Sequence, residues 1–144
     1  MTALRHVGIV VRDLGRSLKF YRDLLGFEEL RSVEEEGEFL DAILGLRGAK
    51  VRTVKLRGAE GGIVELLAFR SPQMEISNSP PLVRSGPTHI AVTVDNIERL
   101  YGSLKEAGIE CTTPPRTSPD GGARVTFCRD PDGTFVELVQ AIRG

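Results

Sequence analysis

The stretch HVGIVVRDLGRSLKFYRDLLGFE (residues 6–28) returns as HIAVTVDNIERLYGSLKEAGIE (residues 89–110), 83 positions later and with one residue fewer in its helical part. Each copy opens on a β-rich run, 6–11 or 89–94, followed by a helix-capping residue, Asp13 or Asn96. Apolar residues then recur at helical spacing: Leu14, Leu18, Tyr21, Leu24 and Leu25 in the first copy, Ile97, Leu100, Tyr101 and Leu104 in the second. Gly26 and Gly108 stand where a left-handed C-terminal cap is wanted. A second match, GGIVELLAF (61–69) with GTFVELVQA (133–141), runs at an offset of 72. The first copy therefore carries about eleven extra residues, within 34–50, where 39–46 predicts a short helical turn. The strands KVRTVKLRG (50–58) and ARVTFCRDPDG (123–133) precede the last strands, with hairpin connections at 59–62 and 130–133.

The order β-α-β-β-β is thus written twice in one domain spanning 1–144: module one at 1–70, a connector at 71–87 with four prolines, module two at 88–144. Helices and strands mixed in this way predict an α+β fold. Two tandem βαβββ modules would form a curved, incompletely closed mixed sheet with the helices outside.

Nineteen basic and twenty acidic residues leave a net charge of −1, which argues against nucleic acid or a membrane surface as partner. Apolar runs are too short to span a bilayer, and the N-terminus lacks a signal-peptide pattern, so a cytoplasmic location is expected. Two cysteines, Cys111 and Cys128, are too few for a disulfide framework and read as reduced, buried structural thiols.

Strand alternation places the polar residues. Val7, Ile9 and Val11 share one face of the first strand and suit packing against a helix; His6, Gly8 and Val10 share the other. Ile90, Val92 and Val94 likewise oppose His89, Ala91 and Thr93. Glu65 falls on a face with Ile63, Leu67 and Phe69, and Glu137 on a face with Phe135 and Val139. A desolvated carboxylate without a partner costs several kcal/mol. If the strands curl around one concavity, His6, Glu65, His89 and Glu137 converge in it. Two neutral imidazoles and two carboxylates make a first shell for one divalent transition ion: Zn, Ni, Co, Mn or Fe. The only two histidines of the chain occupy matching repeat positions, and so do the two glutamates. Common descent of the modules preserves matched residues by itself, so the weight rests on donor type and convergence.

The paired βαβββ modules, FYRDLLGF (20–27), THIAVTVDNI (88–97) and DPDGTFVELVQ (130–140) together resemble the vicinal oxygen chelate superfamily. That group holds glyoxalase I, methylmalonyl-CoA epimerase, extradiol dioxygenases and fosfomycin- and bleomycin-resistance proteins. The resemblance implies the two-module sheet around a metal-centred cavity, and a homodimer. A His/Glu/His/Glu set at His6, Glu65, His89 and Glu137 is similar to the ligand set of bacterial-type glyoxalase I. Extradiol dioxygenases use two His and one Glu with further catalytic histidines, and this chain has none to spare. Fosfomycin transferases carry a His near the Glu65 position, and metal-free bleomycin binders lack the ligands. Where glyoxalase I places an Arg and an Asn for glutathione, this chain has Val10 and Phe69. Its opening and its VELL strand also resemble methylmalonyl-CoA epimerases, which carry Gln at the Glu65 position.

The resemblance implies a metal-dependent lyase or isomerase that removes a proton next to the carbonyl of a small carbonyl compound or thioester. Glu137 is the expected base and Glu65 its counterpart, each doubling as a ligand. The alternatives are a metal-free small-molecule binding or resistance protein of the same fold and an Fe(II) ring-cleaving dioxygenase.

Overall fold

The computed structural model describes residues 1–143; Gly144, the last residue of module two, lies outside the described residues. The chain forms two compact units, Met1–Ile76 and Ser77–Gly144, and the division falls inside the connector read at 71–87. Each unit is built on a four-stranded mixed sheet with open edges. Among the described residues no helix is long and apolar enough to cross a membrane.

In the first unit the strands are β1 (Val7–Val10), β2 (Glu28–Glu36), β3 (Lys50–Arg57) and β4 (Ile63–Ser71). They lie in the order β1-β4-β3-β2, with β1 parallel to β4 and the other pairs antiparallel. Helix α1 (Leu14–Leu18) begins at Asp13, whose carboxylate accepts from Arg16 N at 3.1 Å. The apolar spacing predicts one continuous α-helix to Leu25, but the structure widens into a π-helical segment, Lys19–Leu24. Leu25 N donates to Phe20 O, five residues back, at 3.0 Å. A π turn is one residue inserted into an α-helix, and this is where the first copy is one residue longer than the second. The wider turn lets the consecutive Phe20 and Tyr21 both bury, ring on ring edge at 4.8 Å. They belong to a core with Val11, Val54, Leu56, Val64 and Leu66, the alternate strand residues facing α1.

The extra residues of the first copy form the second helix, α2 (Glu38–Leu44), close to the turn expected at 39–46. It ends at Gly45 in the left-handed conformation, φ 67°. The Asp41 carboxylate then accepts from Gly48 N at 2.9 Å and Ala49 N at 2.8 Å, fixing the return into β3. Leu40 packs with Ala49, Val51, Leu67 and Phe69, so α2 covers one end of the sheet face that carries Glu65.

The second unit repeats the plan with β5 (His89–Thr93), β6 (Arg116–Thr117), β7 (Ala123–Arg129) and β8 (Phe135–Ala141), in the order β5-β8-β7-β6. Helix α3 (Ile97–Glu106) is capped by Asn96, which accepts from Arg99 N at 3.0 Å. Its first backbone N–H, on Ile97, donates to Gln140 Oε1 of β8 at 2.7 Å and pins the helix to the sheet. Ile97 and Leu104 are fully buried beneath it.

The β7–β8 turn is held by Asp130, whose Oδ1 accepts from Asp132 N and Thr134 N at 2.9 Å each. Gly133 in this turn has φ 90°, and a Cβ there would meet Ser79 N at 2.9 Å. Gly133→Ala is therefore expected to destabilise the protein by about 1–3 kcal/mol, from the left-handed backbone and the clash with backbone rather than a movable side chain. Thermal unfolding of the variant checks this; an unchanged midpoint would refute it.

Candidate metal centre

Each unit brings one predicted histidine onto one predicted glutamate. His6, just ahead of β1, has Nε2 3.7 Å from Glu65 Oε1 on β4. His89, at the start of β5, has Nε2 3.9 Å from Glu137 Oε1 on β8. Both pairs arise from the same register: Gly8 stands beside Glu65 and Ala91 beside Glu137 across the parallel strands. At Gly8 the space is reached by Leu67, whose Cδ1 would lie 3.3 Å from an added Cβ. Glu65 is the more enclosed, with 15% of its side chain exposed against 26% for Glu137.

Both separations exceed a hydrogen bond. Two donors bound side by side to one ion at about 2.1 Å lie roughly 3.0–3.4 Å apart, so each pair is wider than a chelating pair, by up to nearly 1 Å for His89–Glu137. The donor chemistry also fits a divalent transition ion. His6 Nδ1 is buried without a hydrogen-bond partner, so no protein group commits the His6 ring to one tautomer. His89 Nδ1 lies 3.0 Å from Thr88 Oγ1; a hydrogen bond donated there leaves the Nε2 lone pair turned toward Glu137. Among the described residues no three or more His, Cys, Asp or Glu side chains are gathered into one group. Each unit brings together one His–Glu pair.

The surroundings of the two His–Glu pairs differ. Opposite Glu137 across β7 stands Phe127, whose ring meets the His89 ring edge-on at 5.1 Å and the Phe135 ring at 6.2 Å. The Arg129 guanidinium lies 3.9 Å above the Phe135 ring and donates to the carbonyls of Pro80 and Gly133, at 3.0 and 2.7 Å. At the matching place opposite Glu65 stands Lys55, half-buried on β3, with Arg31 of β2 as its next cross-strand neighbour. The reading from sequence missed Lys55. Nothing in KVRTVKLR singles it out from Lys50, Arg52 and Arg57, and only the hairpin register puts it across from Glu65. Phe69 packs into the α2 cluster, and Val10 is half exposed on the Gly8 face.

Residues 3–138 match the profile of the Glyoxalase/Bleomycin resistance protein/Dioxygenase superfamily. The Bacillus subtilis protein YwkD is 31% identical over 97% of this chain and 98% of its own length. A probable lactoylglutathione lyase of Vibrio parahaemolyticus is 29% identical over 94% of this chain and 88% of its own. The crystal structure of a glyoxalase family protein from Bacillus cereus superposes with a TM-score of 0.91 at 21% identity, covering 99% of this chain and 96% of that one. With the duplicated module, its sheet order and its paired His and Glu, the chain belongs to the Glyoxalase/Bleomycin resistance protein/Dioxygenase superfamily.

Proposed function

We propose that the protein is a divalent-metal-dependent lyase or isomerase that removes a proton next to the carbonyl of a small carbonyl compound or thioester. The observation that carries the reading is the recurrence of one His–Glu pair, at 3.7 and 3.9 Å, at matching strand positions of both units. His6 with Glu65, and His89 with Glu137, are the residues that would hold a Zn, Ni, Co, Mn or Fe ion. Bound there, such an ion would supply Lewis-acid stabilisation of negative charge on a substrate oxygen.

The chain's own groups do the rest. In this reading a carboxylate oxygen of Glu137 takes the proton and Glu65 is its counterpart in the return. Phe127 and Phe135 give the His89–Glu137 side an aromatic flank. Lys55 offers a cation to an anionic substrate group on the Glu65 side. Relatives named as lactoylglutathione lyases support lyase chemistry. Val10 and Phe69 supply no polar contact for a glutathione tripeptide, which favours another thiol adduct or an acyl thioester. In this reading the two modules act as one domain in a cytoplasmic homodimer, with no nucleic-acid or membrane partner.

Elemental analysis of the untagged protein tests the reading against a His89→Ala, Glu137→Ala double variant. About one transition ion per four-donor site, lost in the double variant, is expected. No ion after incubation with Zn, Ni, Co or Mn would leave a metal-free binding module.

A further inference from the structure

The sequence holds two cysteines, and the fold sets them against each other: Cys111 pairs with Cys128 of β7 in an isolated antiparallel bridge. The ladder bond lies one residue away, from Thr112 N to Phe127 O at 2.8 Å. Cys111 and Cys128 are therefore a non-hydrogen-bonded pair, the closer of the two antiparallel kinds, with Cα atoms about 4.5 Å apart. That lies within the roughly 4.4–6.8 Å a disulfide spans. Residues directly opposite one another project to the same side of a sheet, so the two thiols share a face. It is the face of Thr126 and Val136, away from Phe127 and Glu137.

We propose that Cys111 and Cys128 are a modification site, closing into a reversible cross-strand disulfide when the protein meets a peroxide. Cys128 is buried and Cys111 half-buried, so the oxidant reaches Cys111 first. The Cys111 sulfur attacks one peroxide oxygen, the O–O bond breaks, and a sulfenic acid and one water result. The Cys128 sulfur then attacks the sulfenic sulfur, the S–S bond forms, and the second water leaves with the Cys128 proton. Two thiols are oxidised and one hydrogen peroxide is reduced to two waters. Burial raises the Cys111 thiol above its ordinary pKa. Burial, with Cys111 and Asp130 nearby, pushes Cys128 up to about 12. Both thiols are thus protonated at neutral pH, and closure is slow beside that of an activated cysteine pair.

The bridge ties the Pro-rich segment after α3 to the back of the strand that carries Phe127 and covers none of the four proposed metal donors. The inference therefore stands or falls apart from the metal reading. Its test is to treat the reduced full-length protein with hydrogen peroxide, unfold it, alkylate, and record intact and peptide masses. The expected product is two hydrogens lighter, resists alkylation at both sulfurs, contains a Cys111–Cys128 linked peptide and reverts with reductant. Before unfolding it should also melt several degrees above the reduced form. Cys111→Ser, a change on the more exposed side of the pair, should abolish both the mass change and the melting shift while Cys128 stays alkylatable. Two alkylated thiols after oxidation, Cys111 carried alone to sulfinic acid, or a bridge between two chains would each overturn the proposal.

Discussion

A Glu137→Gln variant is expected to lose about 10²–10⁴-fold in turnover while substrate affinity changes far less. Gln keeps the size of the side chain and a carbonyl donor but cannot accept a proton at neutral pH. The local frame should survive the change: Glu137 sits mid-strand between Ala91 and Phe127, and its side chain is neither capping a helix nor closing a turn. The assay is exchange of the α-proton with deuterated solvent, followed by mass spectrometry on a panel of thiohemiacetals and acyl-CoA esters, with bound metal measured in parallel. Full metal content with lost exchange assigns the base role to Glu137. Metal and exchange lost together assign it a ligand role only. Equal losses in turnover and affinity would count against both assignments. Glu65→Gln is the matched experiment in the other module, where the carboxylate lies 3.7 Å from His6 and faces Lys55 instead of an aromatic ring.

The second large effect is on folding. Leu66→Ala is expected to destabilise the protein by about 2–5 kcal/mol, out of a total that for ordinary domains is roughly 5–15 kcal/mol. Leu66 is fully buried in the middle of β4, between Ile9 of β1 and Val54 of β3, on the side facing α1. Its neighbours belong to three separate elements, so the cavity cannot close by moving one of them. Leu67→Ala is the control: the next residue points to the Glu65 face and is only half-buried, so its loss should be clearly smaller. Denaturant unfolding of the two variants settles the comparison. Equal losses would mean that the two faces of β4 are not the distinct environments described here.

Much of this architecture was legible because a duplicated chain prints its elements twice. The period of two in VGIVV and IAVTV assigned both faces of the first strands, and the buried side chains fall on the faces expected. The same alternation put His6, Glu65, His89 and Glu137 on the faces they occupy, but which His meets which Glu follows from the strand order, β1 beside β4 and β5 beside β8, which periodicity does not give. What escaped depends on contacts between distant residues. Alternation shows which way Lys55 points but not that it stops opposite Glu65, because that register is set by the hairpin at 59–62. Cys111 lies beside a Pro-rich stretch with no alternation to read, so its pairing with Cys128 is visible only in three dimensions. The π-helical turn escaped because Leu14, Leu18, Tyr21 and Leu25 fit an α-helix well.

That turn has a consequence for how the module tolerates change. Most folds accommodate a surplus residue in a loop, and here the surplus is wound into a helix that hands the chain to β2. A deletion within 19–24 would relax the segment to an ordinary α-helix and cost the burial of one aromatic, without slipping the pairing of β2 on β3. The sheet that presents Glu65 is thereby insulated from length variation just upstream of it. Insertions and deletions that would scramble the faces of a strand become, in this helix, no more than a change of pitch.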